Sequence, residues 1–286
     1  MDAEMMTTTT MTSRNGVDLA TASGLVDIGA TRLYCEAAGD GPSLLFIPGG
    51  LGDAGEWAAV MAQLASSFTV VAYDRRGFSR SDKPNDMTTL ADHADDAVAL
   101  MRALSLEPAA VVSQSSGALI TADLVARHPR AVRSAVLFEA PLFGIVPGNE
   151  GVIANLQRLV EEKMTSGGPR AAMEAFIRAN AGDDVYDALR AADPETLERC
   201  LDNGAHFFRV ELPAIPRFTP NVTTIKSSGV PLTVLLGSDD RDTWYGKAAT
   251  WLAAQLGTNV VETPGGHAAM WTHPVEFAAA VRRTAA

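Results

Sequence analysis

The stretch VVSQSSGALIT (Val111–Thr121) runs from β-branched apolar residues, through three serines within four positions, into a helical pattern. A nucleophile held between a strand and a helix needs a turn so tight that the residues two positions to either side must be small, the pattern GxSxG. Centred on Ser115, those positions are Ser113 and Gly117; centred on Ser116, the first becomes the bulkier Gln114. Ser115 is the better centre, with Ser113 where the pattern has its first glycine. The same string also reads as a polar strand-to-helix cap, in which serine hydroxyls bond free N–H groups of the helix. Taken alone it leaves both readings open.

Outward from the serines, AAVVSQ reads as a buried strand, and SGALITADLVARHP as a helix ended by His128-Pro129. VRSAVLFEAP returns to a sheet. Upstream, LVDIG and TRLYCEAAG look like an opening antiparallel pair, followed by strand SLLFIPGG, helix EWAAVMAQLAS, strand FTVVAYD and helix TLADHADDAVALMRALSL. Short apolar runs alternating with helices predict helices crossing over between parallel strands. The alternation stops at Pro141 and resumes near Val230; between them lie the helical patterns NLQRLVEEKM, RAAMEAFIRANA and DPETLERCLDNGAHFFRVEL, broken by Gly and Pro. VPLTVLLGS, GKAATWLAAQLG, NVVETPG and HPVEFAAAVRRTA restore it. The organisation expected is therefore a mobile tail over residues 1–23, an α/β core in two parts (24–140 and 231–286), and a helical lid over 141–230.

A serine after such a strand, opening a helix, sits at the carboxyl edge of a parallel sheet, where open α/β folds bind ligands. That position favours the nucleophile reading of Ser115. The formal net charge of −11, from 34 acidic and 23 basic residues, disfavours nucleic acid and anionic membranes as partners and points to a small molecule. No stretch is apolar and long enough to span a bilayer, and the first residues lack a cationic flank followed by an apolar run, so a cytoplasmic protein is expected. Cys35 and Cys200 stand alone, without zinc-ligand spacing, and are read as two reduced, buried thiols; neither a metal nor a cofactor is expected.

Several separated motifs make the chain, over nearly all of residues 25–284, resemble the α/β-hydrolase superfamily. IPGGLGDAGEW resembles the oxyanion loop after the third strand, with Pro48 where a His is usual. YDRRGFSRS resembles the loop after the fourth strand, and GGHAAMWTHPVEF the segment that carries the catalytic histidine. The resemblance implies a mostly parallel twisted sheet of about eight strands flanked by helices, with the lid inserted after strand 6. It further implies backbone N–H groups of Gly50 and Ser116 aimed at the oxygen that becomes negative in a tetrahedral intermediate. Gly49 and Gly50 would let the backbone approach a ligand closely, and Trp57 is expected beneath this loop.

His267 follows the last strand in a glycine-lined loop, as a base that must reach Ser115 from the same sheet edge should. His128 and His273 precede prolines and read as capping or surface groups. His93 is placed on a charged helix face, and His206 in the lid. Two strand ends offer an acid to orient the imidazole. Asp240 lies where most of the superfamily carries its aspartate; Glu139 ends an apolar strand, where a charge needs a partner. FEAPL, with SQSSGA and PGGLGD, is similar to the branch that includes the zearalenone lactonases, in which the acid follows strand 6; GSDDRDTW also lacks the proline usual after the aspartate. Glu139 is therefore favoured, with Asp240 the alternative. The expected function is a metal-independent serine hydrolase cleaving an ester or lactone through an acyl-enzyme. Gly49, Leu51, Leu142, Phe143, His206 and Phe207 are the candidate substrate walls. Carbon–carbon bond hydrolases and cofactor-free perhydrolases keep the same triad, and a non-catalytic receptor can use the same scaffold, so these alternatives stay open.

Overall fold

Strands such as Ser43–Ile47 and Ala109–Gln114 are apolar without alternation because both faces of their sheet are covered. The computed structural model describes residues 22–84, 87–147 and 150–285; the expected tail lies outside them up to residue 21. Eight strands form one sheet: β1 (Ala22–Asp27), β2 (Arg32–Ala38), β3 (Ser43–Ile47), β4 (Thr69–Tyr73), β5 (Ala109–Gln114), β6 (Val132–Phe138), β7 (Leu232–Gly237) and β8 (Val260–Thr263). Their spatial order is β1-β2-β4-β3-β5-β6-β7-β8. β2 pairs antiparallel with both β1 and β4, and the remaining pairings are parallel.

Because successive side chains point to opposite faces, each strand feeds two cores. Leu45, Ile47, Val71 and Val111 pack with α2 (Leu90–Ala103), α3 (Ser116–Arg127) and α9 (Trp244–Leu256). Leu44, Phe46, Val70 and Val112 pack with α1 (Ala58–Leu64) and α11 (Pro274–Thr284) on the other face. Trp57 anchors the second core, its ring 4.8 Å from that of Phe46 and 5.8 Å from that of Phe277, beneath the loop after β3 as expected. Full burial of side chains of this size contributes about 1.5–3 kcal/mol each. Thr89 and Asp92 close a capping box at the start of α2. Cys35 and Cys200 are free and buried.

Between β6 and β7 the chain is helical: α4 (Glu150–Ala181), α5 (Asp183–Ala192), α6 (Pro194–Asp202), α7 (Gly204–His206), a π-helical turn over Phe207–Glu211 and α8 (Val222–Ser227). α4 breaks at Gly168, whose φ of 74° is left-handed, just before Pro169; this is the break expected between NLQRLVEEKM and RAAMEAFIRANA. α5 has no counterpart in the sequence reading. It buries only Tyr186 and Leu189 and is strongly amphipathic, so its two apolar anchors are lost in a largely charged string. The loops after β3, β4, β5, β6, β7 and β8 all emerge at one edge of the sheet, and the helical insertion covers that edge.

Candidate active site

Ser115 joins β5 to α3 with φ 53° and ψ −127°, a region that a residue with a Cβ enters only when its surroundings force it. Its N–H donates to the Phe138 carbonyl at 2.9 Å and its carbonyl accepts from Ala118 at 2.8 Å, which pins the turn on both sides. A Cβ on Gly117 would lie 2.5 Å from the Ile47 carbonyl oxygen, so that position tolerates no side chain. Ser113 is accommodated for a different reason: it is fully buried and its hydroxyl donates to the Val136 carbonyl on β6 at 3.1 Å. The departure from GxSxG is thereby absorbed by the neighbouring strand.

Glu139 follows β6, also at a left-handed φ of 49°, and is fully buried. Its Oε1 accepts from the Gly237 N–H at 2.8 Å and its Oε2 lies 2.6 Å from His267 Nδ1. Burial raises the Glu139 carboxyl above its ordinary range, against the opposing pull of the His267 and Gly237 hydrogen bonds. Asp240 is half-buried beside the His267 loop, its Oδ2 2.9 Å from where a Gly266 Cβ would be. Burial raises its carboxyl too, opposed by the charge and backbone N–H of His267. Of the two candidate acids, Glu139 is the one on the imidazole nitrogen.

Two further contacts hold the ring. Tyr245 stacks on it, centroids 4.0 Å apart and planes 17° apart, and the Tyr245 hydroxyl donates to Asn180 of the insertion at 3.1 Å. His267 Nε2 meets the Gln114 amide nitrogen at 2.8 Å. That nitrogen can only donate, so Nε2 accepts and the ring proton lies on Nδ1, toward Glu139. In the sequence Gln114 reads only as a residue too bulky for a turn centred on Ser116.

Two cavities meet at Ser115. The larger is lined by Gly50, Leu51, Gln114, Ser115, His267 and Trp271 among others. The smaller is lined by Gly50, Ser115, Ser116, Phe143, Phe207 and Tyr245 among others. Phe176 and Asn180 of the insertion border both. Of the expected substrate walls, Leu51, Phe143 and Phe207 thus border the cavities, and Gly49 abuts Gln114, whose Oε1 lies 2.0 Å from where a Gly49 Cβ would be. Leu142 is buried in the core and His206 packs edge-on against Phe78, ring centroids 4.8 Å apart; among the described residues neither lines either cavity. His93 corrects the sequence reading. It is 2% exposed, not on a charged face, because its side chain points inward, where it faces Arg75 and Glu211. Asp74 braces a loop, accepting from Ala54 N at 2.7 Å and from Arg80 Nε at 2.7 Å.

Glu56 also borders the larger cavity; it is 1% exposed and accepts from Asp53 N at 3.1 Å. Burial pushes its carboxyl up from an ordinary 4.5 to about 8. A folded state that keeps a proton the unfolded chain releases loses stability as pH rises through that window and levels off above it. Glu56→Gln removes the titration, so between pH 5 and pH 9 the native protein should lose on the order of 4 kcal/mol more than the variant. Urea unfolding at the two pH values measures this, and parallel losses would refute it.

A family model described as alpha/beta hydrolase fold matches residues 42–196. The uncharacterized hydrolase YraK of Bacillus subtilis is 30% identical over 261 residues, covering 89% of this chain and 93% of that protein. Among solved structures, the enol-lactonase from Burkholderia xenovorans LB400 superposes with a TM-score of 0.74 at 18% identity, over 91% of this chain and 99% of that one. A thermophilic esterase from Thermogutta terrifontis gives 0.75 at 18% identity, over 92% and 97%.

Proposed function

The chain belongs to the α/β-hydrolase family, and from that premise we propose that it is a serine hydrolase that cleaves a carboxylic ester or lactone through an acyl-enzyme. The observation that carries this reading is the Glu139–His267 pair, with Oε2 2.6 Å from Nδ1, beside a strained Ser115 that borders the same cavity. In this scheme Ser115 attacks the carbonyl, and His267 takes its proton at Nε2 and returns it to the leaving oxygen. Glu139 holds the Nδ1 proton and so keeps Nε2 free to accept. Gly50 and Ser116 donate their N–H groups to the oxyanion, and water then repeats the sequence to release the acid.

In this scheme Gln114, whose amide nitrogen lies 2.8 Å from Nε2, gives that lone pair up to Ser115. Binding of substrate exchanges one neutral donor for another, an exchange worth about 1 kcal/mol in either direction. The Tyr245 ring lies flat against the imidazole, where its π face favours the cation formed in each half-reaction. Phe143, Phe176 and Phe207 give the cavities apolar walls, which suits an apolar ester or lactone. An acid after β6 is also what the zearalenone-lactonase branch carries, and it supports that likeness; the partner is a small molecule and no cofactor takes part.

The test uses the full chain with a fluorophosphonate probe and p-nitrophenyl acetate. A serine hydrolase gives stoichiometric labelling, mapped by mass spectrometry to the peptide that carries Ser115, together with turnover. A protein that binds small molecules without chemistry gives neither result.

A further inference from the structure

The two candidate oxyanion donors lie at the ends of one buried ion pair. Arg75, from the loop after β4, is fully buried and Glu211, from the π-helical turn of the insertion, is 3% exposed. They meet as a fork: Arg75 Nη2 donates to Glu211 Oε1 at 3.1 Å and Nη1 donates to Oε2. One further hydrogen bond from each partner goes to the oxyanion region. Arg75 Nη2 donates to the Gly49 carbonyl at 2.5 Å, and Glu211 Oε1 accepts the Ser116 hydroxyl at 2.6 Å.

The first contact bears directly on Gly50. In a planar trans peptide the C=O and the next N–H point in opposite directions, so a cation fixed on the Gly49 oxygen fixes the direction of the Gly50 N–H and polarises it. The second contact anchors the residue whose N–H is the other donor. Phe207, in the same π-helical turn as Glu211, packs on Gly50 so closely that a Cβ there would lie 2.7 Å from its ring. A buried ion pair is a weak source of stability compared with apolar residues of the same size, so its value must be sought in what it orients.

We propose that Arg75 and Glu211 are positioning residues for the oxyanion hole, which is complete only when the π-helical turn of the insertion is docked. The proposal rests on the reading of Ser115 as the nucleophile. It makes the insertion part of the site's electrostatics as well as its walls, and joins residues 136 positions apart to one function.

The test compares wild type, Ser116→Ala and the double variant Arg75→Met with Glu211→Gln. Steady-state kinetics on a p-nitrophenyl ester are read beside the affinity for a trifluoromethyl ketone, which adds the Ser115 hydroxyl and leaves an oxyanion in the hole. The double variant removes both charges together, leaving no unpaired ion. It should lower kcat about 10²-fold with KM within about threefold, and weaken the ketone by a similar factor. Ser116→Ala keeps the N–H and loses only its anchor, and should cost about tenfold in both readouts. A folded double variant with wild-type kcat and ketone affinity overturns the proposal. Should the double variant not fold, unchanged kcat and ketone affinity in Ser116→Ala overturn it equally. Wild-type protein that neither turns over ester nor binds the ketone sinks the reading of Ser115 itself, a different result from active wild type with insensitive variants.

Discussion

Glu139→Gln is expected to lower kcat about 10⁴-fold on a p-nitrophenyl ester with KM little changed, while Asp240→Asn keeps most of the activity. The substitution is isosteric, so the buried site stays filled and the protein stays folded. What changes is direction. A carboxylate at 2.6 Å from His267 Nδ1 accepts that proton and leaves Nε2 as the base. An amide in the same place presents either an NH₂, which forces the proton to Nε2 and removes the base, or a carbonyl, which orients the ring without stabilising its cation. Gly237 N–H, at 2.8 Å from Oε1, selects the carbonyl for that side and turns the NH₂ toward the ring. Asp240 offers the imidazole only its charge through a half-solvated loop, so its loss should cost less than about threefold. Circular dichroism confirms the fold of both variants, and the reverse ranking of their kcat values would assign the acid to β7 instead of β6.

That ranking was only partly legible in the sequence, and the reason is physical. β3 to β6 announce themselves because a strand covered on both faces has to be apolar throughout, and the Ser115 turn because it tolerates only small residues two positions away. Glu139 and Asp240 both end such strands, and one-dimensional order cannot say which of two neighbouring strand ends reaches a ring nitrogen. Gln114 was visible as a letter but not as a ligand of His267, since that contact spans 153 positions. Nothing in DRRG or in FFRVE marks Arg75 and Glu211 as partners across 136 positions. His93, inside a run of acidic residues, reads as exposed because nothing in TLADHADD encodes the long-range approach of Arg75 and Glu211 to its ring.

Ser115→Gly should move activity and stability in opposite directions. Removing the nucleophile costs on the order of 10⁶ in kcat and abolishes fluorophosphonate labelling, because neither His267 nor the oxyanion donors can replace the covalent step. Meanwhile φ 53° with ψ −127° is a conformation that glycine adopts freely and serine does not. Backbone strain of this kind stores about 1–3 kcal/mol, against which glycine's greater freedom in the unfolded chain sets about 0.5–1 kcal/mol. The net gain of about 1 kcal/mol corresponds to a rise in Tm of about 2 °C for a chain of this size. Ser115→Ala, which keeps the Cβ, should lose the same activity without that rise, so the pair of variants separates the loss of the hydroxyl from the release of the turn. Differential scanning calorimetry reads the second effect. If glycine gives a lower Tm than alanine, the turn is not held against its own preference, and the argument that surrounding structure forces Ser115 toward the cavity fails with it.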